Sequence, residues 1–172
     1  MTVPHNPNEL IAIVDEHDNI IGKAPRKNHA NGRLHRETSL LIINSQDEIL
    51  VQVRADNGKL DFSASGHFPY NETYLEGIIR EVQEELGIKI PEYKFKKVLK
   101  TRVNNSAKGN NRFVTLWEVK GDYRIKDMNI DSKEVRSVEY MSISELKKIM
   151  KEHSERMSKG FLYLLKLYFR KS

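Results

Sequence analysis

The chain has 172 residues, with 29 Lys and Arg against 24 Asp and Glu, a formal charge of +5 and a pI near 9.3. Hydrophobic residues make up 38% and charged residues 31%, the mix of a soluble globular protein, and the length predicts one domain over residues 1–172. There is no cysteine, which excludes disulfides, thiolate metal sites and a cysteine nucleophile and fits a cytoplasmic setting. The N-terminus MTVPHNPNELIAIVDEHDN has no basic stretch leading into an apolar one, so no secretory signal is expected. The longest apolar run, FLYLLKLYF, is broken by Lys166 and falls short of the ~18 residues of a membrane helix. The lysines are scattered and form no arginine-rich or aromatic-basic tract, so a phosphate-bearing small molecule is the expected partner rather than nucleic acid. A homodimer is compatible with all of this.

In chain order, residues 9–15 and 20–23 flank the turn-rich Asp15-Glu16-His17-Asp18-Asn19 and predict a hairpin. RKNHANGRLH, residues 26–35, reads as a loop around Asn31-Gly32. SLLIINS (39–45) and EILVQVR (48–54) predict a second hairpin, and a short strand is expected within 61–68. Over residues 73–86 the period changes to that of a helix, which Gly87 ends. Strands are expected over 93–103 and 112–119, separated by a polar loop from Asn104 to Asn111, and again over 135–141. Ser142 followed by Glu145 is a capping box that opens a helix. Met157, Phe161, Leu164, Leu165 and Tyr168 have the spacing of a core-facing helical stripe, so the C-terminal helices span 143–170. The class is a mixed α/β (α+β) domain.

Residues 66–88, GHFPYNETYLEGIIREVQEELGI, carry five Glu and one Arg, a charge of −4 within a chain of +5. On a helical wheel Leu75, Ile78, Ile79, Val82 and Leu86 share one side, and Glu81, Glu84 and Glu85 fall opposite them. Like charges at these spacings repel by about 0.2–0.5 kcal/mol per pair, and only Arg80 is placed to compensate. Gly77 projects from the acidic face at a cost of about 1 kcal/mol relative to alanine, so its missing side chain should make room for a loop or a ligand. Three clustered carboxylates suit a hard divalent cation, Mg²⁺ first and Mn²⁺ next. Thr73 with Glu76 fits a capping box, which makes Glu76 structural, and Glu72 is in range to bridge to Arg80.

Gly66, Glu72, Arg80, Glu81, Val82, Glu84, Glu85, Gly87 and Ile88 match every specified position of the pattern G-x5-E-x7-R-E-U-x-E-E-x-G-U. The chain therefore resembles the Nudix hydrolase superfamily. The resemblance implies the Nudix fold, a mixed β-sheet sandwiched between helices, with residues 66–88 as a loop–helix–loop. It also implies Mg²⁺-dependent attack of water on a diphosphate. Glu81, Glu84, Glu85 and the Gly66 carbonyl would hold the metal, Arg80 would orient the carboxylates, and the general base would be Glu81 or Glu84. Glu134 stands where other members place a further acid, as an extra metal ligand or base.

From residue 9 to 146, VDEHDNIIGKAPR, LHR, VQVR and SGH follow in an order that resembles the isopentenyl-diphosphate isomerase-like branch. There the resemblance implies a metal site of three histidines and two glutamates, with a cysteine just before a Gly-His. This chain has His29, His35 and His67, but Ser65 at the cysteine position and Asn110 and Arg112 where Glu-x-Glu would stand. A hydroxyl is a poor proton-transfer group beside a thiol, so hydrolysis of a nucleoside di- or triphosphate or a nucleoside diphosphate derivative is expected. The alternatives are an isomerase and a non-catalytic nucleotide- or RNA-binding module. His67, Arg36, Arg54 and Gln52 are candidate phosphate contacts. Phe113 and Trp117 are expected in the core rather than stacked on a base.

Overall fold

The computed structural model describes residues 6, 8–26, 32–105 and 110–171, so His29 and residues 106–109 of the polar loop lie outside the described residues. Two early hairpin strands, β1 (Leu10–Val14) and β2 (Ile20–Pro25), pair antiparallel as their alternation predicts. The third strand, β3 (His35–Ile43), starts four residues before the expected Ser39. It does so because its partner is remote: β3 runs parallel to β8 (Asn110–Lys120) from His35↔Arg112 to Ile43↔Lys120. The remaining sheet pairs are antiparallel. β4 (Glu48–Arg54) lies along β9 (Val135–Ser142), and β7 (Lys96–Asn105) lies along β8.

The hairpin of β3 and β4 stays paired only at Ile43↔Ile49 and then splays. The single strand expected within 61–68 is two short pieces in that gap, β5 (Leu60–Asp61) against β4 and β6 (Ala64–Gly66) against β3. Ser63 bridges the split. Its Oγ accepts from the Ile42 N–H (2.8 Å) and donates to the Leu50 carbonyl (2.6 Å), which satisfies one backbone group on each diverging strand. The break delivers β6, and with it Gly66, beside the helix α1 (Tyr74–Leu86).

From Leu40 to Ile43, β3 is apolar on both faces because both are covered. Leu40 and Ile42 pack with Leu50, Val119 and the α1 residues Ile78, Val82 and Leu86. Leu41 and Ile43 pack with Val51 and Leu116, together with Leu146 and Ile149 of α2 (Ile143–Glu152) and Phe161, Leu164 and Leu165 of α3 (Lys159–Lys171). The result is a mixed sheet between helices, and the C-terminal stripe is core. Trp117 is also core, its indole N–H donating to Thr38 Oγ1 at 3.0 Å. Among the described residues no helix is long and apolar enough to cross a membrane.

Candidate active site

Helix α1 begins and ends as its sequence dictates. Thr73 Oγ1 accepts from the Glu76 N–H, and the Glu76 carboxylate accepts from the Thr73 N–H, a reciprocal capping box. Gly87 closes the helix with φ 65°, a left-handed conformation that glycine adopts without cost. Gly77 is occupied differently from a ligand port. A Cβ there would fall 2.7 Å from the ring of Phe68, so the missing side chain admits the loop that follows β6. The carboxylates are covered by β6 and β4, with Gly66 against Glu81 and with Ser65 and Gln52 on Glu85. Glu81 and Glu85 are only 4% and 5% exposed, so the acidic side of α1 is interior rather than the solvent face that a wheel suggests.

Gly66 is where the chain approaches Glu81. A Cβ at Gly66 would sit 2.5 Å from Glu81 Oε1, a separation that only glycine permits. Glu81 Oε1 is buried and receives no hydrogen bond, although Arg80 Nη2 lies 3.2 Å away at ion-pair distance. Arg80 gathers the other acids: Nε donates to Glu72 (3.1 Å), Nη1 to Glu84 (2.9 Å) and Nη2 to the His67 carbonyl (3.3 Å). Glu85 Oε2 accepts from Gln52 Nε2 (2.6 Å) and from the Ser65 N–H (3.3 Å). Burial pushes the Glu81 carboxyl up to about 8, against the opposing pull of Arg80 and Arg26, and Glu84 and Glu134 add to the rise. Burial raises Glu85 well above its ordinary value too, with Glu81 contributing and Gln52 opposing. Burial alone would weaken the hold of Arg80 on its proton, but Glu81, Glu72 and Glu84 outweigh it and the guanidinium stays charged.

Such a face is electrostatically incomplete. Two buried carboxylates with raised proton affinity, one with an orphaned oxygen, fit a bound cation. All are hard oxygen donors within one helical turn, and the donor set fits Mg²⁺ or Mn²⁺. In the positions shown, Glu84 turns to Arg80 and Glu85 to Gln52, and among the described residues no three acidic or imidazole groups already converge on one ion.

The candidate phosphate contacts are differently placed. Arg36 is committed to Asp18, with Nε to Oδ1 at 2.7 Å and Nη2 to the Asp18 carbonyl at 2.6 Å. Asp18 also takes the Tyr74 hydroxyl and the Lys100 ammonium, so four elements meet there. Arg54 is divided between Asp56 (2.9 Å) and Asp61 (3.0 Å). Gln52, read from the sequence as a phosphate contact, holds Glu85 and the Ser63 carbonyl instead. His67 stacks on His35, and Arg112 pairs with Glu37. The Glu134 carbonyl accepts from the Ala55 N–H, and its side chain lies within the electrostatic field of Glu81 and Glu85. Glu9 and Arg26 were not singled out from the sequence. Cross-strand pairing of Leu10 with Pro25 brings them together, and Arg26 acts on Glu81 while Glu9 feels Arg80, Glu72 and Glu84. An opposite-charge pair, Glu9 at the start of the predicted hairpin and Arg26 just past its end, was the available signal.

With this geometry in hand, comparison with known proteins defines the class. The NUDIX domain model matches residues 33–161, and the chain belongs to that family. An uncharacterized Nudix hydrolase of Yersinia pestis is 41% identical over 86 residues, 46% of this chain and 47% of that protein. The chain spans about half the length, or less, of several curated relatives. Over longer spans, human isopentenyl-diphosphate delta-isomerase 2 is 28% identical, covering 85% of this chain and 74% of that protein. Prenyl-diphosphate phosphatase of Methanosarcina mazei is 27% identical, covering 83% and 84%. The fold is shared with DR0079 of Deinococcus radiodurans, at a TM-score of 0.74 and 20% identity over 92% of this chain and 98% of that one.

Proposed function

We propose that the protein is a Mg²⁺-dependent hydrolase that cleaves a diphosphate linkage by attack of water on phosphorus, with Mn²⁺ as a substitute ion. The observation that carries the reading is the approach of Gly66 to a buried Glu81 whose Oε1 has no hydrogen bond. Glu81, Glu84, Glu85 and the Gly66 carbonyl would hold the cation. What a bound cation supplies is neutralised phosphate oxygens and a more acidic water. The chain's own groups do the rest. Arg80 fixes Glu72 and Glu84 and ties them to the loop through the His67 carbonyl, while Gln52 fixes Glu85. Glu81 and Glu85 are kept out of bulk water, with Gly66 lying against Glu81 and with Ser65 and Gln52 holding Glu85. The water's proton would go to Glu81 or Glu84, and Glu134, whose charge acts on Glu81 and Glu85, would serve as an additional ligand or base.

The chain is nearly equally similar to an isomerase and to a phosphatase, and two site positions favour the hydrolase. Ser65 and Arg112 stand where the isomerase layout places a proton-transferring cysteine and a metal-binding glutamate, and neither can do that work. The substrate we assign is a nucleoside di- or triphosphate or a nucleoside diphosphate derivative. The prenyl-diphosphate relative supports a second reading, an isoprenoid diphosphate. Incubation with Mg²⁺ and a panel of nucleotides, nucleotide sugars, isopentenyl diphosphate and longer prenyl diphosphates, followed by mass spectrometry, separates these readings. Cleavage lost in Glu84→Gln and Glu85→Gln is expected. Double-bond migration without cleavage would sink the hydrolase reading.

A further inference from the structure

Beside the acidic face, two buried histidines meet ring to ring. His35 opens β3 and His67 follows Gly66. Their ring centroids are 5.0 Å apart and their Nε2 atoms 3.1 Å apart. Converging imidazole nitrogens are the usual beginning of a transition-metal site. Among the described residues, what stands beside this pair is an ion pair with a buried arginine. Glu37, two residues along β3, has Oε2 3.9 Å from His67 Nε2 and 2.6 Å from Arg112 Nε. Arg112 is 6% exposed and stands opposite His35 in the parallel register. Its guanidinium extends to the start of α3, where a Cβ on Gly160 would lie 3.1 Å from Nη2, so glycine leaves it space. Asp61, the other carboxylate acting on Glu37, is held by Arg54, Ser158 and the Phe62 N–H.

Hydrogen-bond logic occupies the two nitrogens. His35 Nδ1 is 2.9 Å from the Arg33 carbonyl, which can only accept, so Nδ1 carries the proton. A neutral His35 then offers Nε2 as an acceptor, and His67 Nε2 donates to it. A metal shared by the rings would have to break this bond and enter beside the Arg112 guanidinium, whose charge already pairs with the Glu37 carboxylate.

We propose that Arg112 takes the place of a metal ion in this pocket: its guanidinium, paired with Glu37 and given room by Gly160, supplies the positive charge, and the His35–His67 pair is a structural hydrogen bond that takes no metal. Divalent-cation binding is thereby confined to the glutamate face. The inference rests on the pocket alone and holds whatever the glutamate face catalyses.

The test is calorimetric titration of the EDTA-stripped full chain with Zn²⁺ and Mn²⁺, in wild type and in Glu81→Gln/Glu85→Gln, each with and without His35→Gln. No binding event that depends on His35 is expected in either background. The swap Glu37→Ala/Arg112→Glu is expected to gain one equivalent of Zn²⁺ that His35→Gln then removes. A Zn²⁺ or Mn²⁺ site that survives Glu81→Gln/Glu85→Gln and is lost with His35→Gln overturns the proposal, as does a folded swap variant that gains nothing. If the swap does not fold, the first comparison decides alone, because it leaves Glu37 and Arg112 intact. Full cleavage activity in Glu81→Gln/Glu85→Gln would instead sink the assignment of the catalytic cation to Glu81 and Glu85 and leave this one standing.

Discussion

The Cβ that Gly66 lacks would fall 2.5 Å from both Cδ and Oε1 of Glu81. Carbon and oxygen do not approach so closely without a bond, so Gly66→Ala must turn the Glu81 carboxylate or push β6 away from α1. Overpacking of this kind costs about 1–3 kcal/mol of stability, and a displacement near 1 Å costs about 100-fold in rate. The expected result is a loss of about 100-fold in kcat/KM with a raised Mg²⁺ requirement, in a protein that still melts cooperatively. Unchanged activity and Mg²⁺ dependence would show that the close approach has no catalytic meaning.

In the metal-free protein the burial of Glu81 makes stability fall as pH rises. Its proton affinity is raised from the ordinary 4.5 to about 8, so the folded state binds a proton that the unfolded state releases between those values. Stability from this source is complete below about 4.5 and is lost by about 8, with Glu85 shifted in the same direction. Thermal melts in EDTA should therefore show a falling Tm across that window, and Glu81→Gln should flatten the slope. Added Mg²⁺ should stabilise the wild type more at pH 8 than at pH 5. A slope identical in Glu81→Gln and wild type would mean that Glu81 is not the group responsible.

Arg36 separates a structural from a substrate-binding role. Its guanidinium makes two short bonds to Asp18, whose carboxylate also ties Tyr74 of α1 and Lys100 of β7. Breaking a largely buried pair leaves an uncompensated charge and costs about 3 kcal/mol. Arg36→Gln should lower the urea midpoint and move KM for the cleaved diphosphate by less than about twofold. A KM raised about tenfold at unchanged stability would instead make Arg36 a phosphate ligand.

How much of this was legible beforehand follows from the range of the forces involved. Helix α1 could be read residue by residue, since Thr73, Glu76 and Gly87 act within a turn or two of chain. The candidate metal-binding acids could be named, but not their burial, because Glu81 and Glu85 are covered by Gly66, Ser65 and Gln52 of β6 and β4 rather than by α1 itself. The partners of Arg36 and Gln52 lie 18 and 33 residues away, beyond any local pattern. A surface-seeking arginine and a buried one look alike in sequence until the carboxylate opposite is known. For the same reason the early start of β3 was hidden, since its parallel partner β8 lies some 75 residues further along the chain.

Ser63 shows how a single hydroxyl lets the sheet open towards the site. It is fully buried, and its Oγ is the common partner of the Ile42 N–H and the Leu50 carbonyl where β3 and β4 part. Its own carbonyl accepts from the Gln52 Nε2 that also donates to Glu85 Oε2, so the bridge is one residue removed from a candidate metal ligand. Ser63→Ala would leave one buried donor and one buried acceptor without partners, at about 2–4 kcal/mol in total. The expected outcome is a lower urea midpoint at unchanged m-value, together with weaker Mg²⁺ binding as Gln52 and Glu85 lose their fixed register. Ser63→Thr, which keeps the hydroxyl but adds a methyl to a closed space, should recover the Mg²⁺ affinity better than the stability. If Ser63→Ala lowers stability while Mg²⁺ affinity stays at the wild-type value, the bridge holds the strands but does not position Glu85.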